Sequence, residues 1–395
     1  MNALFQEIQK RINIFVHNYR QVIDFDTKSH TTIAYNMENG TLETFNANYT
    51  IFATGGFSQI YQTNSSSHLC TGCGHRVLFE NGAVLKDIDL VQFHPTGLAK
   101  NGMLISEACR SEGGFLINSS GERFMEKYSP MMELASRDII AKAICMEAKN
   151  GNVFLDLRHI DKQTIKTKLL SSYTSAKHFG KTDITTTPLH IYPTAHYNMG
   201  GIAVNEKYQI SENLYAIGEL ACASVHGANR LGCNSLLELF TSAKISAENV
   251  ARKFKPFKQR NTKINEKLER ITCKNSTIEY EEIILIQKKI KKIMNENASI
   301  VKNEGLLKNA LAEVEKINDE IKNLNNFAGI KYDSNFITLY ETQSLALMAK
   351  GVLIGAINRR YSVGSHFRDD FSQTVSNPKH TNIDQNFNLY FTNPF

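Results

Sequence analysis

One stretch of this sequence decides the fold and the site that we expect: His226-Gly-Ala-Asn-Arg230-Leu-Gly-Cys-Asn-Ser235-Leu-Leu-Glu238. Gly227 and Gly232 lack a Cβ atom, so the backbone there can approach a ligand closely. The pair Asn234-Ser235 opens an apolar run that is typical of a helix, and the N–H groups and positive dipole of a helix start favour an anion. Arg230 adds a planar guanidinium that matches a carboxylate. The stretch therefore predicts an anion-binding loop at the start of a helix.

Two predicted strands elsewhere in the chain end in glycine. The run Tyr49–Ala53 continues into Thr54-Gly55-Gly56, where a phosphate or a ring can lie against bare backbone. The run Leu214–Gly218 is followed by Glu219, and an acid at such a strand end commonly accepts hydrogen bonds from ribose hydroxyls. Both features predict a nucleotide-binding α/β unit.

The first fifty residues carry local signals of a helix followed by a small sheet. Residues 4–20 predict a helix that ends near His17-Asn18. Three strand-like runs follow it: Val22–Phe25, Thr32–Tyr35 and Leu42–Phe45. The dipeptide Asn39-Gly40 between the second and third runs is a strong hairpin signal.

Polar motifs occupy the region between Asp87 and Tyr197, at the edges of apolar runs where loops usually carry chemistry. They are Gln92-Phe-His94-Pro-Thr96-Gly97, Ser106-Glu107-Ala-Cys-Arg110-Ser-Glu-Gly113-Gly114, Glu133-Leu-Ala-Ser-Arg137-Asp138 and His196-Tyr-Asn-Met-Gly200-Gly201. A helix is predicted over Ile139–Ala148 and a strand over Val153–Leu157.

These motifs supply the candidate site residues. Taken singly, each polar residue is more often structural than functional; together, two arginines and three histidines would form a cationic pocket suited to a small dicarboxylate. They are Arg137, Arg230, His94, His196 and His226. Hydride abstraction beside a carboxylate also needs a flat electron sink, which no side chain provides, so a bound cofactor is expected.

Composition excludes several classes of protein. The 395 residues are enough for two or three domains, and 42% hydrophobic with 21% charged residues is typical of a globular protein. The net charge of +6 is modest and indicates solvated surface rather than nucleic-acid binding. No signal peptide or membrane helix is recognisable, which predicts a cytoplasmic protein. Cys70-Thr-Gly-Cys73 has no second ligand pair, so we expect no metal; reduced thiols are favoured over a redox role.

The last third of the chain predicts a helical bundle. Ile283, Ile286, Ile290 and Ile293 recur at steps of three and four, which places them on one helix face. Residues 336–361 form another helical run. The Asn-rich tail 371–395 is expected to be largely irregular.

Five motifs, in a fixed order and spanning about residues 50–370, resemble the flavoproteins of the succinate dehydrogenase, fumarate reductase and L-aspartate oxidase superfamily. They are Gln92–Gly97, Ser106–Gly114, Ala135–Asp138, Thr194–Gly201 and His226–Arg230. Leu104–Ala108, Asn234–Glu238 and Arg359–Phe371 make the chain most similar to the L-aspartate oxidases, whereas Gly232 stands where those oxidases often have alanine.

The resemblance implies an α/β + α fold: an incomplete, Rossmann-like FAD-binding domain, an inserted α+β capping domain and a C-terminal helical bundle. The implied FAD-binding domain covers residues 1–87 and 199–254. The implied capping domain covers 88–198, the helical bundle 255–365 and a C-terminal tail 366–395.

The resemblance also implies roles for individual residues. Arg137 would move the proton as general acid/base, together with a catalytic set of His94, Glu107, His196 and Arg230. The substrate would be bound by His94, Thr96, Ser106, Glu107, His196, His226 and Arg230. FAD would be contacted by Thr54, Gly55, Gly56, Glu219, Asn234, Ser235 and Leu236. The implied reaction oxidises L-aspartate to iminoaspartate for quinolinate and NAD biosynthesis, with electrons passing to oxygen or fumarate.

The chain departs from the family at its start. The strand, Gly-x-Gly-x-x-Gly turn and helix that bind the FAD pyrophosphate are not recognisable, so we expect an N-terminal truncation on the order of a hundred residues. We therefore expect this chain alone to bind FAD weakly or not at all, unless a separate N-terminal FAD half joins it. Cys73 stands where the family usually has aspartate, and Ser106 where threonine is common.

Two other functions stay open from the sequence. The chain could be the flavoprotein subunit of a succinate dehydrogenase or fumarate reductase, docked on an iron–sulfur subunit. It could also be an inactive remnant that persists as a folded fragment.

Overall fold

The computed structural model describes residues 2–255, 278–322, 324, 334–371 and 375–393. Its helices are α1 (Asn2–Gln9), α2 (Cys73–Glu80), α3 (Ala108–Ser111), α4 (Arg137–Glu147), α5 (Lys162–Thr167), α6 (Leu170–Phe179), α7 (Asn234–Lys253), α8 (Tyr280–Asn297), α9 (Glu304–Ile321) and α10 (Ser334–Asn358).

The strands belong to five sheets of the described segments. They are β1 (Arg20–Asp26), β2 (Thr31–Asn36), β3 (Thr41–Asn46), β4 (Thr50–Phe52), β5 (Leu85–Lys86), β6 (Val91–Leu98), β7 (Phe115–Ile117), β8 (Val153–Asp156), β9 (Leu189–Asn198), β10 (Gly201–Ala203), β11 (Gln209–Ser211), β12 (Leu214–Ala216), β13 (Ala221–Cys222), β14 (Val301–Lys302), β15 (Phe367–Arg368), β16 (His380–Ile383) and β17 (Leu389–Thr392).

The predicted strands of the first fifty residues are confirmed as an antiparallel meander of β1, β2 and β3. Gly40 has a φ of +74° at the tip between β2 and β3, a conformation that glycine adopts without strain. The preceding helix is shorter than predicted, because α1 ends at Gln9. The β-branched residues of Ile12-Asn-Ile-Phe-Val16 disfavour a continued helix.

The two predicted glycine-ended strands are neighbours. β4 pairs with β12 in parallel register, with Thr50 opposite Leu214 and Phe52 opposite Ala216. Parallel strands bring their carboxyl ends to one edge of the sheet, so the segments after Phe52 and Ala216 meet there. β11 completes this sheet on the far side of β12, which leaves β4 as its outer strand.

The described part of the tail contains a hairpin that the sequence did not predict. β16 and β17 form an antiparallel hairpin within the five-stranded sheet β13-β10-β5-β16-β17. Asn382 pairs with Lys86 and Ile383 with Leu85, so the strand depends on partners almost three hundred residues earlier. Local composition cannot report such a long-range pairing.

A separate sheet, in the order β6-β9-β8-β7, supports the region of the polar motifs. All eight residues of β6 are buried, and helix α4 packs on this sheet. Many of its apolar residues belong to a second hydrophobic core between Leu98 and Ile191, whereas Val91, Phe93 and Ala195 belong to the main core. The predicted helix and strand at 139–148 and 153–157 are confirmed as α4 and β8.

Helices α8, α9 and α10 pack together, as predicted for the last third of the chain. Ile283, Ile290 and Ile293 are buried on one face of α8, and Ile286 packs against the same core. Residues 256–277 of the predicted bundle lie outside the described part of the chain. Among the described helices, none combines the length and the apolar character that crossing a bilayer requires.

Candidate active site

Two of the predicted histidines lie side by side on paired strands. His94 of β6 is opposite Thr194 of β9, and His196 follows two residues later on the same strand. Their ring centroids are 5.3 Å apart, with the planes inclined by 69°. The antiparallel ladder between β6 and β9 therefore brings together residues that are a hundred positions apart in the sequence.

His94 is fully buried, and its proton can be assigned from its contacts. The backbone N–H of Thr96 donates to Nδ1 at 3.2 Å, so in the neutral ring the proton resides on Nε2. Burial, followed by the charges of His196 and Arg137, lowers the pKa of His94 well below its usual value. A neutral imidazole with a free Nε2–H can donate a hydrogen bond to an anion without adding a charge.

His196 is held by a residue that the sequence did not indicate. Ser65 Oγ lies 2.9 Å from His196 Nδ1, and the Ser65 backbone N–H donates to the carbonyl of Ala195 at 2.9 Å. Burial and the charges of Arg230 and Arg137 lower the pKa of His196 to about 3. Ser65 lies outside the motifs that the sequence analysis singled out, so no sequence signal drew attention to it.

Arg137 is the first residue of α4, and three hydrogen bonds fix its guanidinium. Nε and Nη2 donate to Glu107 Oε2 at 2.9 and 2.7 Å, and Nη1 donates to Gln92 Oε1 at 3.1 Å. The Arg137 side chain is 10% exposed, whereas the Glu107 side chain is 40% exposed. The pair therefore connects a buried guanidinium to a carboxylate that reaches solvent.

A second guanidinium approaches the same carboxylate. Arg110 Nη2 lies 3.7 Å from Glu107 Oε2, and Arg110 Nη1 donates to the carbonyl of Glu133 at 2.5 Å. Burial lowers the pKa of Arg110. Glu107 thus lies between Arg137, which donates two hydrogen bonds to it, and Arg110, which contributes a nearby positive charge without a hydrogen bond.

Gln92 joins the two predicted arginines, although the sequence analysis assigned it no role. Its Oε1 accepts from Arg137, and its Nε2 donates to Asn229 Oδ1 at 2.8 Å and to the Arg230 carbonyl at 2.7 Å. Asn229 in turn donates to Asp138 Oδ1 at 2.8 Å. The spacing Gln-x-His on one strand places Gln92 and His94 on the same face, and this was the available signal.

Arg230 is 3% exposed and carries a charge that is not balanced by an adjacent acid. Its Nη1 donates only to the Leu231 carbonyl and Ser235 Oγ, both at 3.3 Å, and its Nε has no hydrogen-bond partner among the described residues. The guanidinium lies 4.3 Å from the centre of the Tyr197 ring. Burial and then the charge of Arg137 lower its pKa. A carboxylate ligand would satisfy this group.

Three other predicted substrate residues are occupied elsewhere. His226 Nε2 lies 2.8 Å from Glu238 Oε2, in a cluster with Tyr197 rather than beside the two paired histidines. The Thr96 hydroxyl donates to the Ile105 carbonyl at 2.8 Å. Ser106 is exposed, and its Oγ accepts from the Ala108 N–H at the start of α3.

The residues predicted to contact FAD meet at the carboxyl edge of the β4–β12 pair. Glu219 Oε1 accepts from the Asn198 N–H at 2.9 Å, and burial raises the pKa of Glu219 to about 7. A Cβ on Gly56 would overlap the Glu219 and Asn198 side chains, so the glycine is required by their close approach. The Thr54 side chain faces Gly74 of α2 instead. Gly55 has a φ of +74°.

The first half of α7 packs against this edge. Gly218 N–H donates to Ser242 Oγ of α7 at 3.3 Å, and a Cβ on Gly218 would meet the Leu239 side chain. Asn234 is the first residue of α7, and the Leu236 side chain is 58% exposed. Two strand ends, a positive helix terminus and open backbone therefore converge, and this arrangement fits a dinucleotide cofactor.

Neither a metal site nor an activated thiol accompanies these features. Within the described residues, no three His, Cys, Asp or Glu side chains are arranged to hold a metal ion. Cys70 and Cys73 are both free, and burial raises the pKa of each thiol, which disfavours the reactive thiolate.

Comparison with known proteins identifies two family models along the chain. A model described as FAD binding domain matches residues 1–236, and one described as fumarate reductase flavoprotein C-term matches residues 287–390. The predicted fold class, enzyme class and cofactor, FAD, are confirmed by these matches and by the relatives that follow.

Several known proteins are similar to this chain over most of its length. The succinate dehydrogenase flavoprotein subunit of Rickettsia conorii is 33% identical over 398 residues, covering 94% of this chain and 67% of that protein. A mitochondrial succinate dehydrogenase flavoprotein subunit of Xenopus laevis is 36% identical, covering 87% of this chain and 55% of that protein. The structure of an E. coli quinol fumarate reductase variant matches with a TM-score of 0.88 at 27% identity, covering 99% of this chain and 74% of that one.

These likenesses favour one of the open alternatives. The relatives are named as succinate dehydrogenase and fumarate reductase proteins, which was the alternative from the sequence. The closer resemblance to L-aspartate oxidases, with its role in NAD biosynthesis, gains no support from them.

Proposed function

Because the chain belongs to the family of FAD-dependent oxidoreductases that includes the succinate dehydrogenase and fumarate reductase flavoprotein subunits, we propose that its site binds a four-carbon dicarboxylate and interconverts succinate and fumarate. The observation that carries this proposal is Arg230, a buried guanidinium without an acidic partner among the described residues, beside two neutral histidines. An anion is the ligand that such a pocket lacks.

The proposed binding step uses charge and hydrogen bonds of different kinds. Arg230 holds one carboxylate through its guanidinium, and His94 donates from Nε2 to a carboxylate oxygen. His196, steadied by Ser65, supports the same anion from the neighbouring strand. The low pKa values of the two histidines keep them neutral at physiological pH, so Arg230 and Arg137 supply the positive charge.

The proposed reaction removes a proton from one carbon and a hydride from its neighbour, or adds both in reverse. FAD, when bound against Gly55, Gly56, Glu219 and the start of α7, supplies the acceptor or donor of the hydride. We call Arg230, His94 and His196 the anion pocket. Arg137 transfers the proton, since Gln92 and Glu107 hold its guanidinium at the edge of this pocket. Glu107 relays the proton between Arg137 and solvent, because its carboxylate accepts from Arg137 and its side chain is 40% exposed.

We infer that a nucleotide-binding α/β half covers the outer face of α7. The buried residues of α7 are all polar, namely Glu238, Ser242, Ser246 and Asn249, whereas most of its large apolar side chains are exposed. Leu236, Leu237 and Phe240 are 58%, 65% and 55% exposed. β4, the outer strand beside this helix, can accept a further parallel strand. A face of this size and character indicates a covering partner.

The experiment on the proposed function combines the purified chain with the FAD-binding N-terminal half of a succinate dehydrogenase relative. We expect a complex of the two polypeptides that retains FAD and oxidises succinate with an artificial electron acceptor. Arg137→Lys should keep the affinity for malonate, a non-reactive dicarboxylate, but lose most turnover. Turnover of L-aspartate without succinate would contradict the proposal and restore the oxidase alternative.

A pair of substitutions tests whether the FAD-binding half docks on the exposed face of α7. Phe240→Glu should weaken the complex of the two polypeptides, whereas Leu306→Glu, at a 41% exposed position on α9, should not. Equal effects of both substitutions, or self-association of the chain in place of the complex, would overturn this docking surface. An iron–sulfur subunit as the electron partner follows from the succinate assignment and remains a prediction.

A further inference from the structure

Behind Arg230 lies a buried carboxylate that the proposed reaction does not use. Glu238, on the inner face of α7, has a side chain that is 4% exposed. Its Oε2 accepts from the Tyr197 hydroxyl at 2.8 Å and lies 2.8 Å from His226 Nε2. A single oxygen atom of Glu238 therefore contacts both the Tyr197 hydroxyl, on strand β9, and the His226 ring, in the loop before α7.

Tyr197 is the platform of the anion-binding guanidinium. Arg230 stacks on the Tyr197 ring at 4.3 Å, and its only side-chain hydrogen bonds within the described residues are the two 3.3 Å contacts of Nη1. Both of these long bonds are made by Nη1, and Nε has no hydrogen-bond partner among the described residues. The plane of the aromatic ring consequently sets the direction in which Arg230 presents its remaining N–H groups.

The ring in turn is held at its hydroxyl end. The His226 ring meets Tyr197 edge-on, with centroids 5.3 Å apart and planes inclined by 84°. Leu90 and Met199 pack against Tyr197 in a small apolar cluster. Apolar contacts have no preferred direction, whereas the hydrogen bond from the Tyr197 hydroxyl to Glu238 is directional and fixes the position of the ring.

We propose that Glu238 is a positioning residue for Arg230, acting through the Tyr197 ring. The inference rests on the proposed function, in which Arg230 binds a substrate carboxylate. Glu238 holds the Tyr197 hydroxyl, and with it the plane on which Arg230 lies. It also keeps His226 out of the anion pocket, which explains why this predicted substrate residue bonds to α7 instead.

The geometry gives Glu238→Gln a specific consequence. A glutamine can place its carbonyl oxygen against both Tyr197 and His226, but that oxygen carries no charge, so the hydrogen bond from the Tyr197 hydroxyl is no longer charge-assisted. The Tyr197 ring is then held less firmly at its hydroxyl end. We expect the malonate affinity to fall about tenfold, the effect of one lost charge-assisted hydrogen bond. Glu238→Asp keeps the charge and should restore part of the affinity.

The test uses the 395-residue chain and calorimetric titration with malonate. Tyr197→Phe keeps the ring and removes the hydroxyl, so it should reproduce the loss caused by Glu238→Gln. The double variant should lose no more than either single variant, because both changes break the same link. Glu248→Gln, at a half-exposed glutamate on the same helix, is the matched control and should leave the affinity unchanged. Additive losses in the double variant would overturn the proposal.

A second measurement separates this inference from the proposed function. The NMR signal of Arg230 Nε–H senses the ring current of Tyr197, and Glu238→Gln should shift it whereas Glu248→Gln should not. If the native chain does not bind malonate, the proposed function fails and the Nε–H signal alone decides on Glu238. An unmoved signal in a folded Glu238→Gln variant overturns the positioning role. If that variant does not fold, Tyr197→Phe carries the same comparison.

Discussion

Two buried arginines show opposite uses of the same side chain. Arg359, at the end of α10, donates to Asp89 Oδ2 at 2.6 Å and to Asp87 Oδ1 at 2.9 Å, and each acid has a further partner in Thr381 or His380. Arg230 is just as deeply buried but lacks an acidic partner among the described residues.

The difference appears in the pKa values of the two guanidiniums. Burial opposes the charge of Arg359, but Asp89 and Asp87 outweigh it and raise the pKa. Burial and Arg137 both lower the pKa of Arg230. A charge that its own neighbours satisfy stabilises the fold, whereas a charge that is left unpaired keeps its binding capacity for a ligand. We therefore call residues 87, 89, 359 and 380 the structural cluster and set it against the anion pocket.

The largest effect is expected from breaking the structural cluster. Arg359→Met leaves the carboxylates of Asp87 and Asp89 buried without their cation, and such a loss costs about 3–5 kcal/mol of the free energy of unfolding. Urea unfolding at neutral pH, followed by circular dichroism, measures it. Arg360→Met is the control, because the Arg360 side chain is 60% exposed and should change the stability by less than about 0.5 kcal/mol. Similar losses for both variants would contradict the distinction.

The same substitution in the anion pocket should act on binding instead of stability. Arg230→Met removes an unpaired buried charge, so the free energy of unfolding should stay the same or rise. The malonate affinity should fall about a hundredfold, since a charge-assisted hydrogen bond contributes about 1.5–3 kcal/mol. Arg252→Met, at a 79% exposed position on α7, should do neither. A destabilised Arg230→Met chain that still binds malonate would reverse the assignment of the two regions.

The anion pocket and the structural cluster should lose stability in different pH ranges. The pKa of His196 is about 3 in the folded chain and about 6.5 when unfolded, so the unfolded state binds the proton more readily. The stability that the neutral ring contributes is full above pH 6.5 and is lost as the pH falls from about 6.5 towards 3, by about 1.4 kcal/mol per pH unit. His196→Gln should flatten this slope, measured by urea unfolding between pH 5 and 7 (about the window of histidine titration).

The structural cluster loses stability in a lower pH window. Burial opposes ionisation of Asp89, but Arg359 overrides it and lowers the pKa to about 2, so this contribution is present above pH 3.8 and is lost between 3.8 and about 2. Burial also lowers the pKa values of His94, His75 and His366, so part of the slope near pH 6 should persist in His196→Gln. An unchanged slope in that variant would show that His196 does not contribute to the acid sensitivity.

The sequence predicted the helices and strands that depend on local signals. It did not predict the features that depend on contacts between residues far apart in the chain. The meander β1–β3 follows from alternation and from the Asn39-Gly40 turn, which act within a few residues. The β16–β17 hairpin depends on β5, and the structural cluster joins residues about 270 apart, so neither leaves a local pattern. The burial of Arg359 at the end of the helical run 336–361 likewise depends on these remote partners.

The sequence likewise predicted some residues of the candidate site and missed others. The motifs indicated His94, His196, Arg137 and Arg230, and the structure brings these four together. Ser65 and Gln92 act by hydrogen-bonding to those residues from other elements, so their sequence context alone did not identify them. His226 was expected at the substrate, but a partner twelve residues later, Glu238, decides its contacts.

The smallest effect is expected at the boundary of the anion pocket. A Cβ on Gly232 would lie 3.3 Å from Arg137 Nη2 and 3.4 Å from Glu107 Oε2, so Gly232→Ala requires a shift of a few tenths of an ångström. Only the ends of two side chains must move, and alanine restricts the unfolded chain, so the stability should change by less than about 1 kcal/mol. The malonate affinity should stay within about threefold, because Arg230 is untouched.

Gly305→Ala provides the comparison for that variant. Its nearest neighbour would be Asn303 Oδ1 at an ordinary 3.6 Å, and alanine near the start of α9 should stabilise the chain by about 0.5–1 kcal/mol. If Gly232→Ala slows succinate turnover in the FAD-containing complex and leaves malonate binding intact, the contact between Arg137 and Glu107 controls proton transfer and not affinity. If turnover is unchanged as well, Arg137 tolerates the displacement, and the glycine that distinguishes this chain from the oxidases has no bearing on its choice of substrate.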